Sequence, residues 1–356
     1  MHFPYDRSDY IRHVREVSPE IRYPANGDTW STTWADDGHI YAVADDGTGI
    51  DQSNNSNLAV FRIEGAPEER CIHLVNPMVE YGRAGQFEGI YTWKGNGIVS
   101  IDGVLYLGVS QHSQAGQYAD CVQRTYDGSI IASKDHGVTW SAKPALYEAM
   151  WKGNHFSAPF FVQFGQDYQD AMDEYVYAVS ANAWNNGNYM LLQRCPREKI
   201  GNLDAGDWEW YGNRFTRPEI SWEHPWSRDP WNASPIFAHR GYTSMTGIQW
   251  VPFLRRFVLT QWGYTNLDAP VQAAFDHTFL ALYEAPRPWG PWKLFHQVDD
   301  WGTALYNPSL PSKWFTDGGE KAWLTYSGNF LGRNGDSEAY QFSAKRLEFC
   351  VDFRAV

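Results

Sequence analysis

An all-β fold is what this sequence predicts, and two patterns carry the prediction. Short strand–turn–strand modules recur along the chain, while apolar residues at helical spacing are scarce. Aromatic loading is high, with 18 Trp, 21 Tyr and 19 Phe. Such rings fit a pleated, half-buried surface, and they also suit carbohydrate binding. Hairpin-centred units fall at about residues 41, 105, 180, 255 and 320, a spacing of roughly 65 to 75 residues. That exceeds the ~40 to 50 of short-repeat propellers and leaves room for four strands and long connections per unit. The reading is a five-bladed β-propeller with long inter-blade loops, a ring that protects its sheet edges. A many-stranded β-sandwich is the rival, and it yields evenly spaced hairpins less readily.

Each unit rests on a local signal. In Asn26 to Gly47, two strands meet at Asp36-Asp37-Gly38, a strong hairpin step. Alternation there sends His39, Tyr41 and Val43 to one face and Ile40, Ala42 and Ala44 to the other. Gly97 to Gln111 alternates around Asp102-Gly103, Glu174 to Cys195 turns at Asn185-Asn186-Gly187, and Thr246 to Gly263 turns at Pro252. Pro308 to Gly328 turns at Asp317-Gly318-Gly319, and Ala339 to Phe349 closes the series. The helical candidates are Asp9 to Val17 and a single turn at Pro196 to Gly201. Ser133 to Trp140 fits S-x-D-x-G-x-T-W, the Asp-box turn of sialidase-like propellers. Asp135 is expected to bond its own turn and to take no part in chemistry. The chain is read as a single domain over 1–356, with 1–25 an N-terminal segment packing on the ring.

Composition excludes several classes. The net charge is −13, from 42 acidic and 29 basic residues. That argues against nucleic acid and against an anionic membrane, both of which need a cationic face. No stretch approaches the ~18 apolar residues of a membrane span. The charged N-terminus reads as neither signal peptide nor anchor, so as written the chain is expected in the cytoplasm. It would be secreted or periplasmic if a leader was removed. Cys71, Cys121, Cys195 and Cys350 are scattered without a CxxC or a paired His, so buried free thiols are expected and no zinc site.

The stretch Asn26 to Gly47 packs Asp28, Asp36, Asp37, Asp45 and Asp46 among Trp30, Trp34 and Tyr41. Carboxylates beside aromatic rings suit sugar chemistry, because rings stack on sugar faces while carboxylates act as acid, base or nucleophile. Each aspartate taken singly could equally be a turn former.

Further motifs share an order with a known family: YTWKGNGIVSIDGVLYLGV, IIASKDHGVTWS, SAPFFVQFGQDYQDAMDEYVYAVS, TSMTGIQWVPFLRRFVLTQW, LALYEAPRPWGPW and YNPSLPSKWFTDGGEKAWLTYSG. Together with the acidic hairpin they resemble a bacterial group first catalogued as a domain of unknown function. Some of its members are endo-D-arabinanase glycoside hydrolases. The resemblance covers most of the chain, with the Trp-rich stretch Asp204 to Ala233 outside it. It implies a five-bladed propeller, a pocket on the central axis and two first-blade aspartates as the catalytic pair. The matching positions are Asp28 and Asp46, with Asp45 competing for the second role because register decides which of the two points inward.

On this reading the chain is a glycoside hydrolase acting on a poly- or oligosaccharide, arabinan-like by resemblance. It uses Asp28 as nucleophile and Asp46 as acid/base, with a retaining outcome. No cofactor and no metal are expected, and the oligomeric state is not indicated. Lys94, beside Trp93, is either a clamp on the sugar or a solvated loop lysine. His112 and His155 either line the pocket or are structural. His277 with Asp276 raises a channel metal on too few ligands to sustain it. Trp30, Trp34 and Trp262 are stacking candidates, with core packing as the alternative. Two other readings stay open. A polysaccharide lyase would use His112 or His155 as base and Lys94 as a uronate clamp. A non-catalytic carbohydrate-binding propeller would use the aspartates for turns and hydroxyls.

Overall fold

The computed structural model describes residues 3–113, 123–212, 225–267, 277–328 and 340–352. Among them the regular structure is β-strand, with helix limited to short 3-10 turns. In chain order the strands begin with β1 (Ile11–Trp34), β2 (Ile40–Gly49), β3 (Ser56–Glu64) and β4 (Cys71–Asn76). Then come β5 (Tyr91–Ile101), β6 (Val104–Ser113) and β7 (Arg124–Ser133). Next are β8 (Phe160–Gln163), β9 (Tyr175–Ala181), β10 (Gly187–Pro196), β11 (Glu209–Tyr211), β12 (Trp226–Ser227) and β13 (Phe237–Thr243). They are followed by β14 (Ile248–Val251), β15 (Arg256–Tyr264), β16 (His277–Ala285) and β17 (Lys293–Thr303). The last are β18 (Leu305–Ser309), β19 (Lys321–Gly328) and β20 (Gln341–Val351).

Most strand pairs are antiparallel neighbours in sequence, and β10 pairs with β13 as well as with β9 and β11. Two further contacts reach across the chain. β8 lies parallel to β14, and β1 joins the two ends of the chain. The first half of β1, from Ile11 to Asn26, pairs with β20, and its second half, from Asn26 to Trp34, pairs with β2. Residues 11–25 are therefore a strand of the sheet. Ahead of them Ser8 and Arg7 lie along Leu294 of β17.

Local sequence accounts for most of the turns. Gly38 has φ 80° between β1 and β2, and Asp102 and Gly103 have φ 52° and 75° between β5 and β6. The Pro252 and Asn185–Gly187 turns also fall between strands. Alternation in β2 is as read. Ile40, Ala42 and Ala44 pack in one core with Trp30 and Phe61, while Tyr41 and Val43 pack in another with Trp93 and Ile98. A sheet buried on both faces needs apolar residues on both.

The turn after β7 is held by its own side chains. Asp135 Oδ1 accepts from Ser133 Oγ and from Thr139 N, each at 2.8 Å, and Oδ2 accepts from Thr139 Oγ1 at 2.6 Å. Trp140 Nε1 donates to Gly137 O at 3.0 Å.

Three readings need correction. Asp9 to Val17 is not helical, because Ile11 begins β1. A register shift against β20 between Ile11 and His13 places buried Ile11 and Val14 three apart, which mimics a helical spacing. Of the thiols only Cys195 is buried; Cys71 is half-buried, Cys350 is exposed, and Cys121 lies outside the described residues. Trp30 is fully buried among Phe61 and Phe342, with Nε1 bonded to Gly27 O at 3.0 Å, so it is core and no stacking platform. Trp30→Ala is expected to cost about 3 to 5 kcal/mol of stability by denaturant titration. A cost under about 1 kcal/mol would contradict that placement.

Candidate active site

Two backbone irregularities build the site. Asp28 lies opposite Asp45 across β1 and β2, and the register shifts on both sides of it. Thr29 and Asp46 have φ 52° and 41°, a left-handed conformation that costs a non-glycine residue energy. Bulges of this kind re-aim side chains. Here they turn Asp28 and Asp46 into one cavity, while Asp45 is fully buried behind it. This separates the two neighbours that simple alternation left open.

Asp45 is a brace. Its Oδ2 accepts from Thr29 Oγ1 at 2.6 Å and its Oδ1 from Gly95 N at 2.8 Å. Residue 95 must be glycine for that approach, since a Cβ there would sit 2.5 Å from Val43 Cγ1. Asp45, the competitor for the second catalytic role, is thus corrected to a buried support. Burial pushes its carboxyl well above the ordinary range, against the pull of Lys94.

The cavity is about 170 Å³, roughly five or six waters' worth of space. Asp28 and Thr29 of β1, Asp46 of β2, Thr92 and Lys94 of β5 and His112 of β6 line it. Gly85, Phe87, Gln123, Trp184, Trp262, Tyr264 and Tyr306 complete the wall. Tyr306 Oη donates to Asp28 Oδ2 at 2.9 Å, and Tyr340 Oη donates to the Asp46 carbonyl at 3.0 Å. A smaller cavity of about 30 Å³ is lined further along the same strands by Ser31, Thr32, Gly97 and Ile98, with β8, β14 and β18 contributing too.

Lys94 sets the electrostatics. It is buried and ion-paired with Asp46. Burial alone would strip its proton, but Asp46, Asp45 and Asp28 outweigh that and hold its pKa above the ordinary lysine value. Asp28 is pushed up to about 6, chiefly by burial and also by Asp46, with Lys94 and the Tyr306 and Tyr340 hydroxyls opposing. His112 is driven down to about 3, by burial first and by Lys94 second. It is therefore a neutral imidazole. Its Nδ1 and the Thr92 hydroxyl are buried, line the cavity and have no hydrogen-bond partner among the described residues. Both are free to meet hydroxyl groups of a ligand.

Asp28, Asp46, Lys94, His112 and Trp262 therefore converge, and the other candidates do not. Trp262 forms wall more than platform, being buried, bonded through Nε1 to Met245 O and packed on Tyr306. Trp34 is half-buried at the far end of β1 and is not among the lining residues. His155 is exposed, packs on Trp210 and lines a different cavity with Trp231. His277 is exposed and 3.2 Å from Asp300, away from the lining, and Asp276 lies outside the described residues. Reading the sequence missed Thr29, Thr92, Trp184, Tyr264, Tyr306 and Tyr340, whose motifs carry no local mark of a site. Among the described residues the metal-ligating grouping is Glu64, Cys71 and His73, outside this cavity.

No family model and no curated protein matches the sequence. Solved structures do match in fold. A Bacteroides ovatus ATCC 8483 protein that bears the name of a hydrolase is 14% identical, with 92% of this chain and 86% of that one covered and a TM-score of 0.54. The α-L-arabinofuranosidase PaAbf62A from Podospora anserina, solved with cellotriose, is 9% identical over 97% of this chain and 98% of that one, TM-score 0.50. An N-acetylgalactosamine deacetylase from F. plautii, solved with blood group B trisaccharide, is 11% identical over 97% and 95%, TM-score 0.50. At these identities the likeness is one of fold, and the chemistry has to be argued from the site.

The His112 imidazole is expected not to titrate between pH 5 and 8 in an NMR pH series, because burial and Lys94 both disfavour its charged form. A midpoint near the unperturbed ~6.5 would contradict the buried, Lys94-facing placement.

Proposed function

We propose that the chain is a glycoside hydrolase on a five-bladed β-propeller, cleaving a neutral poly- or oligosaccharide with Asp28 and Asp46. The observation that carries the reading is a pair of carboxyls in one cavity with unlike electrostatic surroundings. Asp28 is raised to about 6, whereas Asp46 is ion-paired with Lys94. A carboxyl raised in this way suits the acid role, and its lysine-paired neighbour is left for the nucleophile.

The roles follow from that difference, and they reverse the order read from the sequence. Protonated Asp28 donates to the leaving glycosidic oxygen. Asp46, ion-paired with Lys94, attacks the anomeric carbon and forms a glycosyl ester. Asp28, now a carboxylate, takes a proton from water, which breaks that ester and restores both groups with retained configuration. Tyr306 holds Asp28 in place, and Thr92 and His112 are positioned to bind ring hydroxyls.

The blades would be the successive antiparallel strand runs, with the Ser133–Trp140 turn as the Asp box of one of them. An arabinan-like substrate is supported by the motif resemblance and by the arabinofuranosidase among the fold neighbours. A lyase would need a free cation for a uronate and a basic histidine. Lys94 is committed to carboxylates, His112 has lost its basicity, and His155 lines another cavity.

Asp28→Asn and Asp46→Asn are each expected to lower kcat at least about 100-fold on a glycan found by polysaccharide screening. Circular dichroism should show the fold intact. Wild type should yield new reducing ends without an ultraviolet-absorbing product; full activity in either variant, or binding with no product, would sink the hydrolase reading. As pH rises through about 6, kcat/KM should fall as Asp28 loses its proton. A rate flat from pH 5 to 8 would remove Asp28 from the acid role.

A further inference from the structure

Away from the cavity, the outer hairpin of the first sheet brings together three unlike metal ligands. Glu64, near the end of β3, lies directly opposite Cys71 at the start of β4. His73, two residues beyond Cys71, shares its face of the strand because side chains alternate with a period of two. Cys71 Sγ is 3.3 Å from His73 Nε2, and that nitrogen is 3.5 Å from Glu64 Oε1. All three ligand atoms lie within 4.8 Å of one another.

We propose that Glu64, Cys71 and His73 form a site for a borderline-soft divalent cation, Zn²⁺ being the best fit. Thiolate, imidazole and carboxylate are the ligand types that zinc takes together, at about 2.3 Å from sulfur and about 2.0 to 2.2 Å from nitrogen or oxygen. Tetrahedral angles between such bonds set ligand separations of about 3.5 Å for S···N and about 3.3 Å for N···O. The two measured separations match these edges. A mere S–H···N hydrogen bond would explain the first contact alone; the carboxylate's approach to the same imidazole nitrogen is a second. Water would take the fourth position, as expected where His73 is about half exposed and Glu64 about one-third exposed.

Arg62 sets the strength of the site. Its guanidinium is 2.6 Å from the same Glu64 oxygen, so the cation must share the carboxylate with a fixed positive charge. β4 is the edge strand of its sheet, and the ligands would tie that edge to its neighbour. Binding would deprotonate the Cys71 thiol and release its proton to solvent.

The test uses the full chain, with Zn²⁺ in calorimetry and Co²⁺ as a spectroscopic probe. One equivalent of Zn²⁺ should bind, with heat that varies with buffer ionisation as a proton is released. Cys71→Ser and His73→Ala should each weaken binding at least about tenfold, and Arg62→Gln should tighten it. Co²⁺ should give a thiolate-to-metal charge-transfer absorption that Cys71→Ser abolishes. Thermal unfolding of wild type should rise with Zn²⁺ by mass action, and that of Cys71→Ser should not. All three side chains sit on an exposed hairpin, so both knock-out variants are expected to fold. No saturable binding, binding unchanged in both variants, or a Co²⁺ spectrum without the thiolate band would each overturn the site.

Discussion

Lys94 is a buried ammonium surrounded by three carboxylates, and the site's geometry and protonation both depend on it. An isolated charge at that depth would lose its proton or unfold its surroundings. Here Asp46 pairs with it directly, while Asp45 and Asp28 add longer-range attraction. The same cation moderates the rise in Asp28 and helps to keep His112 neutral. Buried ion pairs of this kind contribute little net stability, because desolvation offsets the attraction. Retaining one at the floor of a cavity is better explained by the protonation states it enforces.

The backbone has to cooperate for those charges to meet. Thr29, next to Asp28, and Asp46 itself have left-handed backbone, and the β1–β2 register slips on each side of Asp28. The strain is held by Asp45, which ties the Thr29 hydroxyl to the Gly95 amide and so joins β1 to β5. Asp45 thus fixes the conformation that presents its neighbours. Tyr340 adds a second tie, from its hydroxyl to the Asp46 carbonyl.

What the sequence made legible, and what it hid, divides along physical lines. The tip at Asp36 to Gly38 and the two faces of β2 follow from period-two alternation and turn chemistry, both of which are local. Asp28 and Asp46 could be singled out from acidic and aromatic clustering and from the resemblance, and Lys94 as a candidate from its place beside Trp93. Which of Asp45 and Asp46 enters the cavity could not, because a bulge overrides alternation. Nor could the hydroxyl on Asp28, since Tyr306 is 278 positions away along the chain. Trp30 looked like a platform because an aromatic beside a carboxylate reads the same whether it faces solvent or core. Cys71 and His73 looked unpaired because zinc patterns are usually sought at longer spacings, whereas on a strand a separation of two already places ligands side by side.

Charge also narrows what can occupy the cavity. Its described lining offers Lys94 as cation, already matched by Asp46, together with the carboxyl of Asp28. An anionic sugar would find among the described lining no cation without a carboxylate partner, at a cost that low local dielectric enlarges. A neutral sugar asks only for hydroxyl partners, and His112 Nδ1 and Thr92 Oγ1 stand without any among the described residues. Fold neighbours that include an arabinofuranosidase and a deacetylase show how little the scaffold decides. If the proposed sugar enters this cavity, selection falls to one lysine that is already neutralised and to an imidazole kept from taking a proton.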